Sequence, residues 1–80
     1  PFQQINSELK FHFSNIEKFA FANMRQLNFV NDSLVMDTIP TLMVDYNDDV
    51  LPLVIPEENA KINNWLRIRL NNPKISVINY

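Results

Sequence analysis

Neither cysteine nor glycine occurs among the 80 residues of this sequence. Without cysteine the chain has no disulfide, no thiolate nucleophile and no zinc–thiolate or iron–sulfur site. Without glycine it has no glycine-rich loop to cradle a phosphate, and a left-handed helix cap must come from another residue type. We therefore expect asparagine and aspartate to take the tight turns.

Long apolar runs and a strong excess of one charge are also missing. No run approaches the ~20 residues of a membrane helix, so direct membrane insertion is not expected. The net charge of −2 argues against wholesale binding of nucleic acid. The N-terminus shows no signal or transit-peptide pattern, so we expect either no targeting segment or a mature chain that begins near Pro1.

The composition that remains is that of one packed domain over residues 1–80. Hydrophobic residues make up 46% of the chain and charged residues 20%, which is typical of a globule rather than a disordered tail. Residues 15–32 organise this domain, because apolar side chains recur there at spacings of three and four. That spacing predicts an amphipathic helix, and it is formed by Ile16, Phe19, Ala20, Met24 and Leu27.

The other segments predict a small sheet and a second helix. After a polar lead-in at 1–7, residues 8–13 alternate between apolar and polar and predict a strand. Further strands are predicted at 33–37, 41–46 and 50–55, the last two as a hairpin around the turn at 47–49. A helix is predicted from Pro56 to about Asn71, followed by a tail strand or extended arm at 75–78. We expect an α+β fold of order β-α-β-β-β-α, with a mixed four-stranded sheet and two helices in a thioredoxin-like layout.

This pattern resembles the thioredoxin-like domain of a family named after the mitochondrial ribosomal proteins L-fifty-one and S-twenty-five. Residues 18–21, Lys-Phe-Ala-Phe, resemble the aromatic opening of the family's first helix. Residues 24–27 and 31–32 stand where the family has Leu-Pro-x-Leu and Asn-Pro, with Arg25 and Asp32 in place of the prolines. Residues 44–51 resemble its hairpin and residues 58–70 its closing helix. The similarity covers roughly residues 9–72 and is closest to the small-subunit group, S-twenty-five.

The resemblance implies a non-catalytic structural component of the mitochondrial ribosome, in the small subunit and located in the matrix. It would bind neighbouring ribosomal proteins, with limited contact to rRNA and without a cofactor or small-molecule substrate. Two alternatives stay open: the accessory subunit of respiratory complex I in the same family, and a cysteine-less thioredoxin-like binding module.

Candidate site residues fall into two groups. Six cations could contact rRNA or protein, although those late in a helix also complement its dipole: Lys18, Arg25, Lys61, Arg67, Arg69 and Lys74. Four aromatic residues exceed what one small core can hold and are candidates for protein docking: Phe21, Phe29, Trp65 and Tyr80. We expect no catalytic or metal site, because His12 is the only histidine and Asp45, Asp48 and Asp49 are typical of a solvated turn.

Overall fold

The computed structural model of the chain describes residues 2–80, so Pro1, where the predicted lead-in starts, lies outside the described residues. The elements in order are α1 (Phe2–His12), β1 (Ile16–Val30), β2 (Ser33–Tyr46), a 3₁₀ turn (Pro52–Val54), α2 (Ile55–Arg69) and β3 (Ser76–Asn79). β1 pairs antiparallel with β2, and β3 pairs parallel with β2. The α+β class, the mixed sheet and the two helices are confirmed. The sheet formed by residues 2–80 has three strands rather than four, and the element order differs from the prediction.

Residues 2–12 form a helix where we predicted a lead-in and a strand. Ile5, Leu9 and Phe13 recur every four residues, and all three are buried. Phe11, which the alternating pattern would bury, is instead 83% exposed. The helical spacing therefore places three apolar side chains in the core. The strand prediction at 8–13 is wrong because it followed the two-residue alternation and not the four-residue spacing that overlaps it.

The predicted helix at 15–32 is also wrong, because residues 16–30 form the long strand β1. Its apolar residues satisfy helical spacing and alternation at once, and Phe19, Phe21, Leu27 and Phe29 all share one face of a strand. The backbone of β1 is paired with β2 almost along its whole length. Asn31 and Asp32 join the strands with φ values of 49° and 65°, as a two-residue hairpin turn with both central residues left-handed requires.

The strands predicted at 33–37 and 41–46 are halves of the single strand β2. Pro40 lies within β2, one residue before the part that pairs with β3. At this position β2 has only β1 as a neighbour, so a residue without an N–H is tolerated. The predicted strand at 50–55 is wrong, and so is the hairpin at 41–55. That segment forms the 3₁₀ turn and the start of α2, since Pro52 and Pro56 cannot donate to a sheet and suit the first turn of a helix.

The second helix is confirmed within two residues of its predicted bounds. Pro56 and two glutamates occupy its first turn, and Ile62 and Leu66 are fully buried. The helix ends in a Schellman motif, in which the Asn72 N–H donates to the Arg67 carbonyl at 3.0 Å and the Asn71 N–H to the Ile68 carbonyl at 3.3 Å. Asn71 has a φ of 50° and takes the position usually filled by glycine. Asparagine and aspartate thus take the left-handed positions, as the lack of glycine predicts.

The core lies at one end of the hairpin. It comprises Ile5, Leu9, Phe13, Ile16, Leu42, Val44, Tyr46, Ile62, Leu66 and Ile75. Residues 23–38, by contrast, include no buried residue, and we call this segment the arm. The Cα radius of gyration is 14.2 Å, larger than the roughly 12 Å of a compact chain of this length, and the principal extents are 45 × 30 × 17 Å. The arm therefore projects from a small core. The tail strand predicted at 75–78 is confirmed as β3.

Candidate docking surface on the arm

Cross-strand register decides which arm residues share a face. In an antiparallel pair, residues directly opposite one another point to the same side of the sheet, and the side alternates along each strand. The side that carries buried Leu42 and Val44 at the base is here called the core face. Further out, the same face carries the pairs Leu27–Met36 and Phe29–Leu34. These four residues form one contiguous apolar cluster, which we call the tip patch.

The tip patch is strongly exposed. Its residues are 58–84% accessible, with Phe29 the most exposed. With the accessible area of a large apolar side chain taken as roughly 200 Å², the four offer roughly 500 Å² of surface. Exposed patches of roughly 300–600 Å² are the largest found on a typical monomer and are often functional. The tip patch is thus as large as the largest apolar patch of a typical monomer and is contiguous rather than scattered, which makes it the candidate binding surface of this chain.

The other face of the arm is mixed. Met24, Val30 and Val35 are exposed there, but polar residues separate them, namely Gln26, Asn28, Ser33 and Asp37. Val35 and Leu34 are neighbours in the chain and lie on opposite faces. The apolar surface of the arm is therefore concentrated on the core face.

A groove lies on the core face at the base of the arm, where the sheet meets the end of α2. It has a volume of about 330 Å³, and its apolar lining comes from Phe21, Pro40, Leu42, Leu70 and Ile75. Asn23 and Asn72 supply polar groups at its wall. Between the groove and the tip patch lies the cross-strand pair Arg25–Thr38. From base to tip, the core face thus presents the groove, then the polar pair Arg25–Thr38, which we call the polar step, and then the apolar tip patch.

The six candidate cations do not gather on this surface. Four are held by carboxylates of the same chain, in the pairs Lys18–Asp45 at 3.8 Å, Lys61–Glu57 at 3.5 Å, Arg69–Glu8 at 3.0 Å and Lys74–Asp37 at 3.9 Å. A fifth, Arg67, donates from Nε to the Ile75 carbonyl at 3.4 Å. Arg25 alone of the six has neither an ion pair nor a hydrogen bond within residues 2–80. A phosphate would have to compete with a carboxylate for most of them.

The four candidate aromatics divide into two pairs. Phe21 packs edge-on against Phe19 beside the core, and Trp65 packs against Phe13 at 5.9 Å between ring centroids. Phe29 lies in the tip patch, and Tyr80 is exposed beneath the Lys18 ammonium, which lies 5.8 Å from the ring centroid. Of the four, only Phe29 therefore belongs to the tip patch, while Phe21 lines the groove at the base of the arm.

Sequence reasoning missed the remaining tip-patch residues Leu27, Leu34 and Met36. The signal was present as alternation on both sides of Asn31-Asp32, a dipeptide suited to a two-residue hairpin turn. The helical reading of residues 15–32 placed Leu27 on a buried stripe and gave Leu34 and Met36 to a separate short strand.

A polar network joins the base of the sheet to α2. The Tyr46 hydroxyl donates to Asn59 Oδ1 at 2.6 Å, Asn59 Nδ2 donates to Asn79 Oδ1 at 2.7 Å, and Asn79 Nδ2 donates back to Asn59 Oδ1 at 3.2 Å. Burial, together with the negative charge of Glu58, raises the pKa of Tyr46 to about 12. The network links β2, β3 and α2 at the base of the sheet.

No three or more His, Asp or Glu side chains within residues 2–80 are grouped so as to hold a metal ion. His12 instead lies against the ring of Trp65, with 5.6 Å between centroids. Over the same residues, neither helix has the length and apolar character that crossing a membrane requires.

These features define a class: a small α+β domain from which a two-stranded arm projects with an apolar face. The chain belongs to the family described as a domain of unknown function (DUF8492), whose model matches residues 1–80. No curated protein and no solved structure is significantly similar to the chain.

Proposed function

We propose that this protein is a non-catalytic structural component that binds protein through the tip patch of its arm. One observation carries the proposal: roughly 500 Å² of contiguous apolar surface projects from the core on a single face. Such a surface costs free energy in water, and its removal from water would contribute roughly 25 cal/mol per Å² before the costs of association are subtracted.

The charge of the arm favours a protein partner over nucleic acid. Between residues 23 and 38 the only cation is Arg25, against the carboxylates of Asp32 and Asp37. A β-ribbon that binds a phosphate backbone needs several lysines or arginines along one face. The arm instead offers leucine, phenylalanine and methionine, which are typical of the centre of a protein–protein interface.

The setting of this component is a finer proposal, and it rests on the sequence resemblance. Membership in the L-fifty-one/S-twenty-five family, the thioredoxin-like layout and the mitochondrial location stay predictions. Residues 18–27, which carry part of the resemblance, form a strand rather than the helix on which it was placed. Protein docking with limited RNA contact is the part of the implied role that the tip patch and the paired cations support. We therefore propose the mitochondrial small ribosomal subunit as the first setting to test and complex I as the second.

The test follows the tagged protein through a sucrose gradient of mitochondrial lysate, with and without RNase. Two variants accompany the wild type: Leu34→Asp, which places a charge in the tip patch, and Val35→Asp, which places it on the other face. We expect the wild type and Val35→Asp to sediment within a large assembly and Leu34→Asp to remain near the top of the gradient.

RNase distinguishes the two settings. A position with the ribosomal small subunit that is lost on RNA digestion supports the ribosomal setting, whereas a position with complex I that RNase leaves unchanged supports the respiratory one. Leu34→Asp sedimenting with the wild type in a large assembly would refute docking through the tip patch.

A further inference from the structure

We infer that the protein bound by the tip patch is a second copy of this chain. The two arms would stack core face to core face, antiparallel, about a two-fold axis. This inference rests on the proposed function, because it names the occupant of the same surface, and the dimer rather than the single chain would then be the unit that enters a larger assembly. It is carried by the order in which the groove, the polar step and the patch follow one another along the arm.

The core face is self-complementary in its spacing. The pair Arg25–Thr38 lies midway along the core face. On each strand it is four positions from the pair Phe29–Leu34 at the tip and four positions from the pair Phe21–Leu42 at the groove. A two-fold axis through the middle pair therefore places the tip pair of one copy over the groove pair of the other. The same operation also places the second tip pair over the first groove, as a closed two-fold interface requires.

The groove is large enough for this occupant. A cavity of roughly 150 Å³ accommodates one benzene molecule, and the groove measures about 330 Å³. It can therefore take the ring of Phe29 together with the side chain of Leu34. Its lining is mainly apolar, so the two inserted side chains would exchange water for Phe21, Leu42 and Leu70.

The buried area also suits a dimer. The tip patch alone supplies roughly 500 Å² per copy. Covering the groove and the middle pair adds to this and brings the area toward the roughly 800 Å² per partner of a stable interface. Two sheets that pack face to face lie roughly 10 Å apart, which leaves room for the large side chains of both tip patches between them.

Arg25 marks the centre of the interface, since two copies of it would face each other across the axis. β1 is an edge strand, so the guanidinium can extend past the free edge into water while its aliphatic stem covers the neighbouring apolar residues. Thr38, on the inner strand of the pair, is small enough to lie directly between the sheets. The dimer therefore has two Arg25 charges close to its two-fold axis, and a complex with a different protein would not pair Arg25 with a second Arg25.

The first experiment measures the mass of the purified chain by sedimentation equilibrium over a range of concentrations. We expect twice the mass of one chain at high concentration for the wild type and for Val35→Asp. Leu34→Asp should raise the dimer dissociation constant by more than about tenfold. Circular dichroism of both variants verifies that each is folded.

The second experiment tests the register. Because the chain lacks cysteine, single-cysteine variants can be cross-linked without side reactions. A thiol-specific linker of about 10 Å, the expected distance between the sheets, should join two copies of Thr38→Cys efficiently. It should join two copies of Gln26→Cys poorly, because Gln26 lies on the opposite face. In an equal mixture, wild type and Arg25→Glu should form more mixed dimers than the statistical half.

The outcomes separate this inference from the proposed function. A monomer at every concentration, or a dimer that Leu34→Asp and Val35→Asp weaken equally, overturns the inference. If the chain is monomeric but Leu34→Asp still loses its place in a larger assembly, the tip patch binds a different protein and the proposed function stands. A dimer that cross-links through Gln26→Cys rather than Thr38→Cys would refute the core-face arrangement.

Discussion

Replacing Tyr46 with phenylalanine should change how stability depends on pH, and the structure sets both the sign and the size of the change. The Tyr46 residue is buried, and its hydroxyl donates a hydrogen bond to Asn59 Oδ1. Removing the hydroxyl costs this hydrogen bond, about 1 kcal/mol at neutral pH. Asn59 Oδ1 keeps its second donor, the Asn79 amide, so it is not left without a partner.

At alkaline pH the wild type loses its stability advantage over Tyr46→Phe. The folded protein holds the Tyr46 proton to a pKa of about 12, because burial and the charge of Glu58 disfavour the phenolate, whereas an unfolded tyrosine has a pKa of about 10. Between these values the folded state binds the proton and the unfolded state does not, so stability falls as the pH rises. The loss is about 1.4 kcal/mol per pH unit, which makes the two proteins about equally stable near pH 11.

Urea unfolding followed by circular dichroism, at pH 7 and at intervals from pH 9 to 11.5, measures this difference. All other ionisable groups are the same in both proteins, so subtracting the two curves removes their effect. Tyr80→Phe, which removes an exposed hydroxyl, is the control and should keep the alkaline decline of the wild type. A constant difference between wild type and Tyr46→Phe across the whole range would refute the buried, hydrogen-bonded hydroxyl.

Two further predictions concern the helix that closes the core. Leu66→Ala should lower the free energy of unfolding by about 2–5 kcal/mol, because it leaves a cavity at a fully buried position, whereas Ile68→Ala, at a 74% exposed position, should change it by less than about 0.5 kcal/mol. Similar losses in both variants, measured by urea unfolding, would contradict the buried face assigned to α2. Asn71→Gly should leave stability unchanged or raise it, whereas Asn71→Val should lower it by about 1–2 kcal/mol, since a β-branched residue is strained at positive φ. Equal thermal melting temperatures for the two would argue against a left-handed cap.

The second helix could be predicted because its signals are local. Pro56 and the glutamates start it, Ile62 and Leu66 give it a buried stripe, and the polar residues at 71–72 end it. Each of these signals acts within one or two turns, so no distant partner is needed to interpret them. Its predicted and observed bounds therefore agree.

Residues 16–30 could not be settled by local pattern. Phe19 fits a helical stripe with Ile16 and an alternating stripe with Phe21, and both readings bury apolar side chains. Residues 16–30 form a strand because residues 33–46 supply a second strand that pairs with them in register across a two-residue turn. Strand preference depends on such neighbours more than helix preference does, so a reading of one segment at a time favoured the helix. The tip patch could not be predicted from the helical pattern, because it forms only when β1 and β2 pair.

The arm links stability to binding. A two-stranded hairpin that lacks a third strand or a packed helix is only marginally stable in water. Residues 23–38 have neither, and their cross-strand apolar pairs Leu27–Met36 and Phe29–Leu34 supply contacts that hold the register. The same side chains form the surface that we propose for docking. Covering them with a second sheet would therefore add the missing layer, so that the arm would gain most of its stability in the complex rather than in the single chain.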